Sequence, residues 1–320
     1  MRVIEVAAFG GPDVLRVKEV PDVRAEPGQV VVEVAAVSVL SVDAMIRSGN
    51  GGEVFPVQPP YVPGAGVAGT VTAVGADVDG SWIGRQVAAH LDNGGYAERV
   101  VAETGNVVGI PDGLGLREAA GVLHDGSGAV AIFEAVNVQH GETVLVQPAA
   151  GGLGSFLVQL AHNAGATVVA AARGAGKLRL AKELGADITV DYGTPGWADE
   201  IRETTGGVDV AFTGVGADIG RAAFELTKRG GRFSNYGVAG GGPTSVAPVE
   251  ARDRGVTVRG MEQLAEAIPG RMARIERTLG LAAEGSIRPV IGRTFPLEQA
   301  AEAHAALANR TVVGKALLIP

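Results

Sequence analysis

Hydrophobic and polar positions follow two different rhythms along this chain. Up to about residue 120 the apolar and β-branched runs are short: Val3–Ala7, Val14–Val20, Val30–Val37, Val67–Val74, Gly84–His90 and Tyr96–Val101. Turn clusters such as Gly10-Gly11-Pro12-Asp13, Glu26-Pro27-Gly28 and Gly75-Ala76-Asp77 separate them. Many short strands with Gly/Pro turns predict a barrel-like β-rich domain. A helix is expected to begin at Leu116–Gly121. From there to about residue 260 strand and helix patterns alternate. Strands are predicted at Thr143–Gln147, Thr167–Ala171, Ile188–Asp191, Val208–Phe212, Gly231–Asn235 and Val256–Arg259. Helices are predicted at Leu178–Leu184, Ala198–Thr204 and Ile219–Arg229. That alternation predicts a doubly wound parallel sheet. Residues 261–285 read as one helix, with Met261, Leu264, Ile268, Met272 and Ile275 on one face. The closing strand Ala316–Ile319 is expected to rejoin the first domain. The expected division is 1–121, 122–260 and 261–320.

One stretch organises the pattern. Thr143–Arg173 reads TVLVQPAAGGLGSFLVQLAHNAGATVVAAAR. Leu153, Phe156, Leu157, Leu160, Ala161 and Ala164 recur at helical spacing between two apolar runs. Strand, glycine turn, helix and strand fall within about thirty residues, the length of a βαβ unit. Ala149-x-Gly151-x-x-Gly154 is the dinucleotide fingerprint with alanine in place of its first glycine. Gly151 would admit a pyrophosphate close to the backbone, and Gly154 would let the helix pack on the sheet. The helix N-terminus suits an anion. NAD sites carry an acidic residue about 20 residues further on. Here that position holds Ala172-Arg173, with Lys177 beyond. Two cations there suit a 2′-phosphate, which a guanidinium binds bidentately. NADPH is therefore expected over NADH.

Composition narrows the classes. The chain has 320 residues, enough for two domains, with 46% hydrophobic and 19% charged positions. A net charge of −8 argues against a nucleic-acid partner. No apolar run reaches the ~18 residues of a membrane helix, and the N-terminus MRVIEVAAFGG lacks a signal-peptide layout. A cytoplasmic protein is expected. There is no cysteine among 320 residues, and five histidines (His90, His124, His140, His162, His304) show no HxH or HExxH spacing. No metal site is expected. His90 and His304 read as structural residues.

The chain resembles the zinc-independent quinone oxidoreductases, relatives of zeta-crystallin in the medium-chain dehydrogenase/reductase superfamily. The resemblance runs nearly end to end. It is carried by FGGPDVL (Phe9–Leu15), Asp43 with IRSG (Ile46–Gly49), YVPG (Tyr61–Gly64), GGYAE (Gly94–Glu98) and IPDGL (Ile110–Leu114). AAGGLG (Ala149–Gly154), LGAD (Leu184–Asp187) and GKALLIP (Gly314–Pro320) complete it. It implies a GroES-like catalytic domain beside a Rossmann domain, NADPH between them, and a homodimer commonly built by pairing Rossmann sheets edge to edge. It implies that Gly151, Gly152 and Leu153 meet the pyrophosphate. Arg173, Lys177, Tyr192 and Arg310 would surround the 2′-phosphate and adenosine. Val215, Tyr236, Gly237 and Val238 would line the nicotinamide.

The substrate side departs from the family pattern. Leu40 stands where an asparagine is common, Met45 where an aromatic is, and Gly66 where an acid is. The GLTA motif appears as Gly126-Ser127-Gly128-Ala129, preceded by His124-Asp125. His124 is a candidate proton donor, Asp125 a group to orient or charge a neighbour, and Ser41, with Ser38, a hydrogen-bond donor. The expected activity is NADPH-dependent reduction of quinones or other α,β-unsaturated carbonyls. Two alternatives stay open: a redox-neutral enzyme of the cyclase or lyase type, and a non-enzymatic NADPH-binding structural or regulatory protein.

Overall fold

The computed structural model describes residues 1–52 and 55–320, with Ala265 described by its backbone only. In chain order its elements begin with β1 (Arg2–Val6), β2 (Leu15–Glu19), β3 (Gln29–Val39), α1 (Ser41–Arg47) and β4 (Gly66–Val74). Then come β5 (Gln86–His90), β6 (Arg99–Glu103), β7 (Val107–Gly109), α2 (Leu116–Leu123) and α3 (Asp125–Val136). The alternating part holds β8 (Thr143–Gln147), α4 (Gly152–Asn163), β9 (Thr167–Ala172), α5 (Ala175–Glu183), β10 (Ile188–Asp191) and α6 (Trp197–Thr205). It continues with β11 (Val208–Thr213), α7 (Ala217–Leu226), β12 (Thr227–Asn235), α8 (Pro248–Arg254) and β13 (Thr257–Arg259). The chain ends with α9 (Glu262–Glu266), α10 (Arg271–Ala283), β14 (Ile291–Pro296), α11 (Ala300–Ala308) and β15 (Lys315–Ile319). Met1–His124 and Ile275–Pro320 form one compact unit; Asp125–Arg274 form a second.

In the first unit the described residues build a sheet in the order β14-β15-β3-β4-β5-β7, with β6 also on β3 and a separate β1-β2 hairpin. The closing strand does return here: β15 pairs antiparallel with β3, Ala316 opposite Val39. The core is largely valine and alanine, with Ile4, Tyr96 and Phe295 its largest fully buried members.

In the second unit the strand order is β10-β9-β8-β11-β12-β13, every pair parallel. This is the doubly wound order expected. The inner strands are buried almost continuously rather than alternately, β9 as eBBBBB and β11 as BiBBBB, as in a parallel sheet covered on both faces.

The single helix expected over 261–285 is instead two, α9 and α10, interrupted at Pro269-Gly270. Proline lacks an N–H and disfavours helix in the residue before it. α1, α3, α8 and α11 have no counterpart in the sequence reading.

Candidate cofactor and substrate sites

The second unit builds a nucleotide cradle at the carboxyl ends of its strands. The strand order reverses between β8 and β11, which are parallel neighbours in space but not consecutive in sequence. Ligands of such sheets bind in the crevice outside a reversal of this kind. The turn after β8 runs Gln147–Gly151 and feeds α4, whose N-cap is Gly151. The first N–H groups of a helix have no partner within it, so they face whatever binds there. A Cβ on Gly154 would lie 2.0 Å from the Pro148 carbonyl oxygen. Only glycine lets α4 approach the turn this closely. At Gly151 an added Cβ would meet Pro148 at no less than 3.4 Å, so the protein leaves that side uncrowded. Ala149, where the fingerprint has its first glycine, is not among the residues with positive φ. Its backbone conformation therefore admits a Cβ.

Arg173 and Tyr192 meet at the carboxyl ends of β9 and β10. Arg173 follows β9 and is exposed; Lys177 lies in the first turn of α5; Tyr192 follows β10. The Arg173 guanidinium carbon is 5.5 Å from the centre of the Tyr192 ring, within cation–π range. Asp191 fixes both turns, accepting from Gly174 N at 2.9 Å and Gly193 N at 2.8 Å. The carboxylate next to this cationic edge is thus engaged with main-chain donors.

Val215, Tyr236, Gly237 and Val238 also come together. Ala239 N donates to Gly214 O at 3.0 Å and Gly240 N to Val215 O at 2.6 Å, closing the loop after β12 onto the end of β11. Val238 is 40% exposed and Val215 only 5%. Tyr236 lies against Gly214 with its hydroxyl turned inward, 3.3 Å from the Gln147 carbonyl oxygen. Burial, reinforced by Asp125 and Tyr192, pushes that phenol far above its ordinary range. Gln147 and Thr213, which the sequence reading missed, sit at this point. They are paired in register on β8 and β11, with Gln147 Nε2 donating to Thr213 Oγ1 at 3.0 Å. Both are polar residues ending apolar strands, a signal present in TVLVQ and VDVAFT. Arg310 belongs to the first unit. It follows α11 in a left-handed conformation, φ 57°, and is exposed.

The first unit holds His124, Ser38 and Ser41; Asp125, the group expected to orient or charge a neighbour, opens α3 in the second. Ser41 is the exposed first residue of α1; Ser38 is buried in β3. Asp43 Oδ2 accepts from Leu40 N at 2.9 Å, which caps α1, and from the Tyr96 hydroxyl at 3.1 Å. The Tyr96 oxygen also lies 2.9 Å from His304 Nε2. A phenol has one proton; given to Asp43, it leaves the oxygen to accept from His304 Nε2–H. Burial pushes the Asp43 carboxyl up to about 6, against the pull of Leu40 N–H, Tyr96 and Lys315. Burial, with Arg47 adding, pushes His304 down to about 3, so its ring is neutral. This chain escaped the sequence reading because its members are 53 and 208 residues apart.

His124 follows α2 and is half-buried. Its Nε2 is 3.3 Å from Nδ1 of His90, the last residue of β5. Gly66 lies directly opposite His90 across β4 and β5. A Cβ there would stand 2.6 Å from His124 Cε1 and Leu123 Cδ2. A side chain at position 66 would therefore compete with His124 and Leu123 for the same space.

Two family descriptions match, "Alcohol dehydrogenase GroES-like domain" over residues 26–112 and "Zinc-binding dehydrogenase" over 152–275. A quinone oxidoreductase of Pseudomonas aeruginosa is 31% identical, covering 99% of each chain. The chain belongs to the quinone oxidoreductases of the medium-chain dehydrogenase/reductase superfamily. A Burkholderia 2-haloacrylate reductase is 30% identical over 97% of this chain and 96% of its own. A mycobacterial structure complexed with NADPH superposes over 100% of both chains with a TM-score of 0.89 at 31% identity.

Proposed function

We propose that this protein is an NADPH-dependent, zinc-independent reductase of quinones or other α,β-unsaturated carbonyls. The observation that carries the cofactor choice is Arg173, packed on Tyr192 at the strand end where NAD sites place a carboxylate, with Lys177 following in the first turn of α5. The guanidinium supplies a planar fork for a 2′-phosphate, and Tyr192 backs it. The first turn of α4, at Gly151, Gly152 and Leu153, would hold the pyrophosphate. Val215, Gly237 and Val238 would border the nicotinamide, with Tyr236 supporting them from beneath. When bound, the nicotinamide supplies the hydride.

The chain's own part is to hold the substrate carbonyl and provide a proton. We assign proton donation to His124, with Ser41 as a hydrogen-bond donor and Asp125 as the group that biases charge at the start of α3. Zinc independence is supported by the donor set. The chain has no cysteine, and among the described residues no three His, Asp or Glu side chains are grouped to hold a metal. His90 and His124 are directed at one another. A homodimer is supported by β13, an edge strand, and by exposed Val249, Val258, Met261 and Ile268 nearby in sequence; sedimentation velocity tests it. A cytoplasmic location fits a cysteine-free acidic chain in which no described helix is long and apolar enough to cross a membrane.

A redox-neutral role on the same scaffold is favoured by one observation, the replacement around Gly66 and His124. Following nicotinamide absorbance with para-quinones, ortho-quinones and enones separates the two. Substrate-dependent NADPH oxidation supports the reductase. Tight NADPH binding with no oxidation across the panel contradicts it.

A further inference from the structure

Asp191 ends β10 opposite Ala172, the last residue of β9. Its two carboxylate oxygens serve different turns: Oδ2 accepts from Gly174 N at 2.9 Å and Oδ1 from Gly193 N at 2.8 Å. Gly174 N belongs to the peptide group that follows Arg173, and Gly193 N to the one that follows Tyr192. One carboxylate therefore fixes the peptide groups on the C-terminal side of the two residues that pack together, with Arg173 Cζ 5.5 Å from the Tyr192 ring centre. Hydrogen bonds to an ionised acceptor are about twice as strong as neutral ones. Tyr192 N also donates to Ala172 O at 3.2 Å, which ties the two strand ends together. Among the described residues Arg173 enters no ion pair; the Asp191 carboxylate is taken up by main-chain donors rather than by the guanidinium. Gly193 is exposed and is not among the residues with positive φ, so its backbone admits a side chain. An added Cβ would nevertheless stand 3.0 Å from Asp191 Oδ1, 3.2 Å from Arg173 Cγ and 3.3 Å from Arg173 Nε. Glycine at this position leaves the space along which Arg173 lies.

We propose that Asp191 and Gly193 are specificity-determining positions for the cofactor: Asp191 is a positioning residue that aims the Arg173 fork at a 2′-phosphate, and Gly193 leaves the arginine room to take that pose. This rests on the reading of Arg173 as the phosphate ligand. Bidentate recognition needs the planar fork at a set angle, and a long exposed side chain loses rotamer freedom when it is held there. Fixing the peptide group beside Arg173, and the ring it packs on, removes part of that cost before the cofactor arrives. The benefit goes to NADPH alone, since NADH offers no 2′-phosphate. A bare charge argument has the opposite sign: a carboxylate beside the site repels the phosphate, so neutralising it should tighten NADPH. One substitution therefore separates the two accounts by the direction in which it moves one affinity.

The test measures the dissociation constants of NADPH and NADH for the full-length protein by titration calorimetry, in Asp191→Asn, Gly193→Ala and Arg173→Ala beside the wild type. In Asp191→Asn the side-chain oxygen can keep one main-chain bond while the amide nitrogen faces the other N–H. NADPH binding should weaken about threefold or more, with NADH unchanged. Gly193→Ala presses on the Arg173 stem and on Asp191 Oδ1 and should weaken NADPH selectively in the same way. Its melting temperature should stay near the wild-type value, because the position is exposed and its backbone admits a methyl group. Equal losses for both cofactors would mark a merely structural role and overturn the proposal. NADPH bound as tightly as in the wild type, or more tightly, in Asp191→Asn overturns it, as does an unchanged ratio of the two constants in Gly193→Ala. A preference for NADPH that survives Arg173→Ala overturns the phosphate-ligand reading and the positioning role with it. A preference erased by Arg173→Ala but kept by the other two variants leaves the ligand reading standing and overturns the positioning role alone.

Discussion

In the proposed function, Arg173 selects the cofactor. It stands at the end of β9 with its guanidinium over Tyr192, and the nearby carboxylate, Asp191, is bound to Gly174 N and Gly193 N. A charge-assisted hydrogen bond contributes about 1.5–3 kcal/mol. Arg173→Ala should therefore weaken NADPH binding by about 10- to 100-fold and leave NADH almost unchanged, as titration calorimetry would show. Gly66 is the second decisive residue. Adding its methyl group overpacks a site 2.6 Å from two side chains and 2.8 Å from the Ala89 carbonyl, a change that costs about 1–3 kcal/mol. Part of that cost should disappear when His124 is alanine, because one of the clashing groups is gone; a double-mutant cycle by chemical denaturation measures the difference. The place of Arg173 at the end of β9 was legible because it depends on local spacing. The His90–His124 contact was not, because the register that sets Gly66 opposite His90 is a tertiary fact. His90 read as structural for that reason.

The glycine turn and α4 act as one element. Gly154→Ala would place a methyl 2.0 Å from the Pro148 carbonyl and push the helix off the turn. The prediction is a loss of about 1–3 kcal/mol in thermal unfolding together with weaker NADPH binding, since the same amides would move. Unchanged affinity with lowered stability would separate the helix end from the cofactor site. Elements with a strong period were readable: β8 matches its expected bounds and β9 extends one residue further. α3 was not, because Ala129, Val130, Ala131, Ile132 and Val136 are buried around most of its circumference, leaving no polar stripe to set a period. α11, AAEAHAALA, is alanine-rich and weakly amphipathic for the same reason. The helix expected over 261–285 failed at Pro269, a breaker inside an otherwise periodic run.

At the scale of the whole molecule, Asp43, Tyr96 and His304 join three distant parts of the chain inside the first unit. Their protons make opposite demands. Asp43, raised from 3.8 to about 6, stabilises the fold below about 3.8 and loses that contribution as pH rises through about 6. His304, lowered from 6.5 to about 3, stabilises the fold above about 6.5 and loses it as pH falls. Between about 4 and about 6 each changes stability by about 1.4 kcal/mol per pH unit, with opposite sign. Their contributions offset one another there. Asp43→Asn keeps an acceptor for Leu40 N–H and Tyr96 but removes one side of the balance. Its stability relative to wild type should fall as pH drops from about 6 to about 4; a pH-independent difference would contradict the raised Asp43 value.

The most direct measurement is the affinity of the purified protein for NADPH and NADH side by side, repeated with Arg173→Ala. NADPH should bind at least about tenfold more tightly, and the substitution should erase the preference by weakening NADPH alone. Equal affinities in the wild-type protein, or a preference that survives the loss of Arg173, would contradict the account.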